Sequence, residues 1–248
     1  MSSPVCLITG VGPAKGTGGE LARRFANGGY KVAMLARNAD NLKKLESEIN
    51  GTTAFPCDVS NLEDLVSVVH QVQTQLGNPN VVVHNAAKSS RGSILDLDPE
   101  DLERNFRVNT TALLYLARET IPAMLRKGKG AILVTGNTSA TRGITNWGFF
   151  ASTKAAQRIL AESIAREFGP KGTHTAYFII DALIDTPRTR PIMGAGKPDE
   201  FFAKASAIAD EMYMSLIHIS ETTRRTPISY AVFCMKKKKW GGGGGGGG

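Results

Sequence analysis

Residues 5–18 read VCLITGVGPAKGTG. An apolar run, Val5 to Thr9, passes into a loop carrying Gly10, Gly12, Gly16 and Gly18. Leu21, Ala22 and Phe25 then follow at helical spacing. A short strand turning through glycines into an amphipathic helix is the opening step of a sheet covered on both faces. The same alternation continues along the chain. Lys31–Leu35, Thr53–Phe55, Val81–Val83, Ala131–Val134 and Thr175–Ile180 read as further strands. Helical patterns lie between them, from about residue 39, over 64–77, over 99–127 and over 149–168. Pro99-Glu-Asp is a helix start and Gly169-Pro170 a helix stop. The expected fold is a single α/β domain, a doubly wound parallel sheet of Rossmann type.

Glycines at a strand–helix junction let a pyrophosphate approach the backbone and rest on the positive end of the helix. A plain tight turn would use the same residues, but this position in the first βαβ unit points to a dinucleotide. The second strand ends Leu35-Ala-Arg37-Asn38. A carboxylate there would bind a ribose 2′-hydroxyl and select NAD. Arg37 stands there instead, with Lys15 inside the glycine loop, and the pair favours a 2′-phosphate and hence NADP.

These residues resemble the short-chain dehydrogenase/reductase family over roughly 4–190. The loop is similar to that family's TGxxxGxG, with five residues rather than three between Gly10 and Gly16. By resemblance, Asp58, followed by Val59, contacts the adenine amine. His84-Asn85-Ala86-Ala87 stands in place of NNAG, Thr186 is the carboxamide-contacting threonine, and Asn109 supports a water linked to the active-site lysine. Phe150-Ala-Ser-Thr-Lys154 occupies the YxxxK position. Lys154 is then the ribose-contacting lysine, but the proton-carrying tyrosine is replaced by Phe150. The family's serine, thirteen residues earlier, falls on Asn137, which can still donate a hydrogen bond to a carbonyl. Thr138 or Ser139 is an alternative donor there.

Three readings follow. The first is an NADP(H)-dependent oxidoreductase of a carbonyl or alcohol, with Asn109, Asn137 and Lys154 arranging an atypical proton delivery. The second is an inactive NADP(H)-binding relative, acting as sensor or subunit. The third is a truncated product. His84, Tyr115 and Tyr177 are read as structural, and Trp147 and Phe149 as lining for an apolar substrate. The segment 183–200 reads as a mobile lid. The resemblance also implies a homo-oligomer built on the long helices.

Composition narrows the remaining classes. The formal charge of +8 includes +5 from residues 215–248, leaving an ordinary +3 on the body and no basic stripe for nucleic acid. No apolar run reaches the roughly 18 residues a membrane span needs. With no signal peptide before Val5, the expected location is the cytoplasm. Cys6, Cys57 and Cys234 are too scattered for a metal or disulfide framework, and Cys6 and Cys57 read as small apolar residues.

Residues 236–248, KKKKWGGGGGGGG, match a translated poly-A tract followed by poly-G, and SLIHISETTRRTPISYAVFCM before them resembles a translated adapter. The expectation is a domain over 1–214 lacking its last strand, with an open sheet edge, followed by a non-native tail over 215–248.

Overall fold

Seven strands form one parallel sheet in the computed structural model, which describes residues 3–222 and 230–236, with side chains through residue 216. The strands are β1 (Val5–Thr9), β2 (Lys31–Ala36), β3 (Thr52–Pro56), β4 (Val81–His84), β5 (Gly130–Asn137), β6 (Thr173–Asp181) and β9 (Tyr230–Lys236). A small parallel pair, β7 (Leu183–Asp185) and β8 (Phe202–Lys204), stands apart. The order across the main sheet is β3-β2-β1-β4-β5-β6-β9. Strand order therefore reverses between β1 and β4, which opens a crevice at their carboxyl ends.

The helices are α1 (Thr17–Asn27), α2 (Ala39–Glu48), α3 (Leu62–Gln75), α4 (Pro99–Phe106), α5 (Ala112–Lys127), α6 (Gly148–Phe168), α7 (Thr189–Met193) and α8 (Ala205–Thr222). Their ends follow from local chemistry. Asn38, Asn61 and Asp98 cap α2, α3 and α4 through their side-chain oxygens, with Pro99 opening α4. Gly128, at φ 64°, closes α5. One face of the sheet buries Leu65, Val69, Leu113, Leu116 and Ile164, and the other buries Leu21, Phe25, Leu42, Ile208 and Met212. Strands sandwiched this way are apolar throughout, as β1 is.

Two expectations need correction. The helix read as continuous over 99–127 is interrupted by a π turn at Arg107–Thr111, where the Ala112 amide reaches back to the Arg107 carbonyl. In addition, the edge expected to be open beside β6 is paired. β9 runs parallel to it from Thr175↔Tyr230 to Asp181↔Lys236. The run YAVFCMK is rich in β-branched and aromatic residues, and its backbone satisfies the ladder that β6 would otherwise leave open. Residues 223–229 and 237–248, including most of the lysine–glycine run, lie outside the described residues.

Candidate functional site

The glycine loop leaves β1 at Thr9 and enters α1 at Thr17. Gly10 has φ +72°, and a Cβ there would lie 2.6 Å from the Ala86 backbone. A Cβ on Gly18 would lie 2.5 Å from the Gly10 carbonyl oxygen. Both positions therefore demand glycine for close backbone packing. Gly12 differs, because a Cβ there meets nothing within 4 Å. Its carbonyl accepts from Asn41 Nδ2 at 2.8 Å, which anchors the lengthened loop to the start of α2. Gly16 caps α1 with no side-chain hydrogen bond, so the first amides of this 11-residue helix remain available to an anion.

Around the crevice, Lys15 and Arg37 are exposed. Arg37 makes no ion pair among the described residues. Asn85 Nδ2 donates to the Gly10 carbonyl at 3.0 Å. Asp58 Oδ1 accepts from the amide and hydroxyl of Ser60, which leaves Oδ2 for an outside donor, and Val59 beside it is buried. A gap in front of Gly12, free helix amides, Lys15 in the loop and Arg37 at the end of β2 fit a phosphorylated dinucleotide.

Thr9 joins this cradle to the interior. Its hydroxyl accepts from the amides of Asn85 and Ala86 at 3.2 Å and contacts His84 Nδ1 at 3.0 Å. His84 Nε2 faces two carbonyls, Val108 at 3.1 Å and Asn109 at 3.2 Å. Two acceptors require a proton on Nε2, so Nδ1 is the acceptor for Thr9. Burial, then the neighbouring Lys154 charge, pushes the His84 pKa down to about 4. The imidazole is thus neutral, with both ring nitrogens hydrogen-bonded.

The chemical end lies where β5 gives way to α6. Asn137 Oδ1 accepts from the Ser139 amide at 2.8 Å, capping a short turn over Thr138–Ala140 and leaving Nδ2 as its donor. Ser139 is buried, and its hydroxyl has no partner among the described residues. Phe150 stacks edge-on against Trp147, with ring centres 5.8 Å apart. One turn later Lys154, only 3% exposed, donates to the Thr135 carbonyl at 3.0 Å and to Gln157 Oε1 at 2.9 Å. Burial draws its pKa down to about 7. A charged ammonium there keeps one N–H beyond these two bonds.

Asn109 joins the lysine region to the loop after β4. It sits in the π turn, where its Oδ1 accepts from the Lys88 amide at 3.0 Å. Its Nδ2 donates to the Lys88 carbonyl and, at 2.8 Å, to Thr153 Oγ1. The side chain ties the loop after β4 to α6. Its main-chain carbonyl, not its side chain, leads toward the lysine, by way of Gln157 Nε2. Thr186 bonds the Thr189 hydroxyl and accepts from the Thr189 amide in the turn leading into α7. Asp185, paired to Arg190 at 2.7 Å and drawn below the usual carboxylate range chiefly by that bond, also feels the charge of Lys15, which brings β7 toward the glycine loop.

Sequence reasoning missed Asn41 and Gln157. Gln157 carried a signal, because a polar residue at 157 interrupts the buried helix face of 154, 157, 161 and 164. Tyr177 is fully buried, with its hydroxyl 3.3 Å from the Lys154 carbonyl. Its ring takes the space a side chain at Gly136 would need, since a Cβ there would lie 2.1 Å from it.

A family model described as enoyl-(acyl carrier protein) reductase matches residues 10–215. The chain belongs to the short-chain dehydrogenase/reductase family. A short-chain type dehydrogenase/reductase of Sinorhizobium fredii is 30% identical over 177 residues, covering 68% of this chain and 70% of that protein. A short chain dehydrogenase of Pseudocercospora fijiensis is 32% identical over 188 residues, covering 73% of this chain but 59% of its own length. Among solved structures, a short-chain dehydrogenase/reductase from Burkholderia xenovorans superposes with TM-score 0.81 at 20% identity, covering 95% and 96% of the two chains, a likeness of fold. The Thermococcus sibiricus alcohol dehydrogenase, solved with 5-hydroxy-NADP, gives TM-score 0.78 at 25% identity, with 96% and 97% covered. Within the short-chain dehydrogenase/reductase frame, this chain is a Rossmann-type oxidoreductase relative. No helix among the described residues is long and apolar enough to cross a membrane.

Proposed function

We propose that the chain is an NADP(H)-dependent oxidoreductase of a small carbonyl or alcohol, with proton delivery that bypasses the missing tyrosine. The observation that carries this reading is the intact cradle. Gly10 and Gly18 pack too closely for any side chain, Gly12 faces open space, and Lys15 and Arg37 stand exposed beside it. The Thermococcus relative solved with a hydroxylated NADP supports the choice of coenzyme. Asp58 Oδ2 and Asn85 complete the adenine and nicotinamide sides, and Thr186 reaches the carboxamide after a rearrangement of α7.

The bound coenzyme supplies the hydride. Asn137 Nδ2 and the Ser139 hydroxyl donate to the substrate oxygen as negative charge builds on it. Lys154, poised near neutrality, gives its remaining proton to that oxygen directly or through one water, and bulk water restores it. Asn109 holds Thr153 and the turn before Lys154 in place. Trp147, Phe149 and the exposed Ile94 favour an apolar substrate, and the half-exposed Leu114 and Ile159 on α5 and α6 favour a homo-oligomer.

A second reading, an NADP(H) binder without turnover, is favoured by Phe150 alone. Titration with NADPH, followed by coenzyme fluorescence, tests both. Saturable binding that weakens about 10- to 100-fold in Arg37→Ala, with NADH binding unchanged, is the expected result. NADPH consumption over a carbonyl panel then separates enzyme from binder, and no binding at all would sink both.

A further inference from the structure

Lys154 is buried yet carries a polar head, so its location depends on which acceptors reach it. One is the Thr135 carbonyl of β5. The other is the side chain of Gln157, itself fully buried, whose amide must be satisfied at both ends. Oε1 accepts from Lys154 Nζ at 2.9 Å, and Nε2 donates to the Asn109 carbonyl. That carbonyl is accessible because the π turn at Arg107–Thr111 interrupts the regular helical ladder. The same carbonyl receives His84 Nε2 at 3.2 Å, and His84 in turn meets Thr9 at the foot of the glycine loop. A continuous line of hydrogen bonds therefore runs from the lysine, through one amide, to the end of β1.

We propose that Gln157 is a positioning residue for Lys154. Its amide bridges the lysine head to the Asn109 carbonyl, where the family resemblance implies a water, and so fixes both the place and the charge of the ammonium. An amide differs from a water in one decisive respect. It presents an acceptor to the lysine and a donor to the carbonyl, and turning it around would set its NH2 against the ammonium, whereas a water can exchange the two roles. The acceptor end favours the charged lysine against the cost of burial, and the donor end keeps Gln157 from swinging away. Tyr177 Oη, 3.5 Å from Oε1, stands behind the amide and limits its movement.

This inference rests on the proposed role of Lys154, but its test needs no coenzyme. The protein labelled with 13C-lysine is titrated by NMR at the lysine Cε carbons, with the Lys154 signal assigned by its loss in Lys154→Arg. Gln157→Met, which keeps the length and removes the acceptor, is expected to lower the protonation midpoint of Lys154 by about one pH unit, a roughly tenfold loss in proton affinity. Gln157→Glu is expected to raise it by at least as much, by pairing a carboxylate with the ammonium. The other lysines stay unmoved in both. Identical Lys154 midpoints in the wild type and in either folded variant would overturn the proposal. Shifted midpoints in a protein that fails to bind NADPH would uphold the positioning role and defeat the coenzyme reading instead.

Discussion

Phe150 holds the centre of its ring 5.8 Å from the ammonium nitrogen of Lys154, at the position that the sequence resemblance assigns to the family's tyrosine. The ring is only partly buried, against Trp147. An oxygen added at its edge would lie on the same helix face as the lysine, one turn away. Phe150→Tyr combined with Asn137→Ser is therefore expected to raise NADPH-dependent carbonyl reduction by about 10²–10⁴. Initial rates of coenzyme oxidation at saturating substrate measure this. An unchanged rate would show that the backbone at 150 does not aim the new hydroxyl at the substrate.

Gly10 and Gly12 should respond oppositely to alanine. Gly10→Ala places a side chain at positive φ and 2.6 Å from the Ala86 backbone, which destabilises by about 2 kcal/mol or more. For a chain of this size that lowers Tm by several degrees. Gly12→Ala meets open space, so its Tm stays close to wild type while NADPH binding weakens, because the methyl enters the phosphate approach. Thermal melts with and without NADPH report both effects.

The buried imidazole sets an acid limit to stability. His84 takes up its proton near pH 4 in the folded chain and near 6.5 when unfolded, so between those values the unfolded chain binds protons preferentially. The contribution of a neutral His84 is complete above about 6.5 and is lost as the pH falls toward 4. That loss amounts to roughly 3 kcal/mol. His84→Gln is expected to flatten the decline in urea-unfolding midpoints between pH 6.5 and 4.

Removing β9 should expose β6. A chain ending at residue 222 leaves the backbone of Thr175–Asp181 without its parallel partner. Lower melting temperature and self-association on a sizing column are expected. A truncated chain as stable and as monodisperse as the full one would support the reading of residues 215–248 as an added tail.

Much of this was legible in the sequence. Val5–Thr9 is β1 to the residue, because an apolar run bounded by Pro4 and Gly10 leaves no choice of ends. The other strands of the sheet body gained one to four residues over their reading, mostly at ends where polar residues such as Asn137 and Asp181 extend the ladder. The cradle glycines were legible for the same local reason. Gln157 and Asn41 were not, since each acts on a carbonyl far away in sequence, Asn109 or Gly12, and the Asn109 carbonyl is freed only by a π turn that periodicity does not reveal. β9 was obscured by its neighbourhood, for its own seven residues read as a strand.

Between residues 107 and 111 the number of residues matters as much as their identity. A π turn holds one residue more than the α-helix it interrupts. Deleting a single residue there would let α4 and α5 fuse and return the carbonyl that Gln157 uses to the helical ladder, while the rest of α5 keeps its phase against the sheet. Leu113, Leu116 and Ala117 would stay in the core, and the loss would fall on the bridge to Lys154 alone. Across descendants of this chain, the stretch should accept exchanged letters far more readily than a missing one, so that frame-preserving codon losses at this point are purged while substitutions persist.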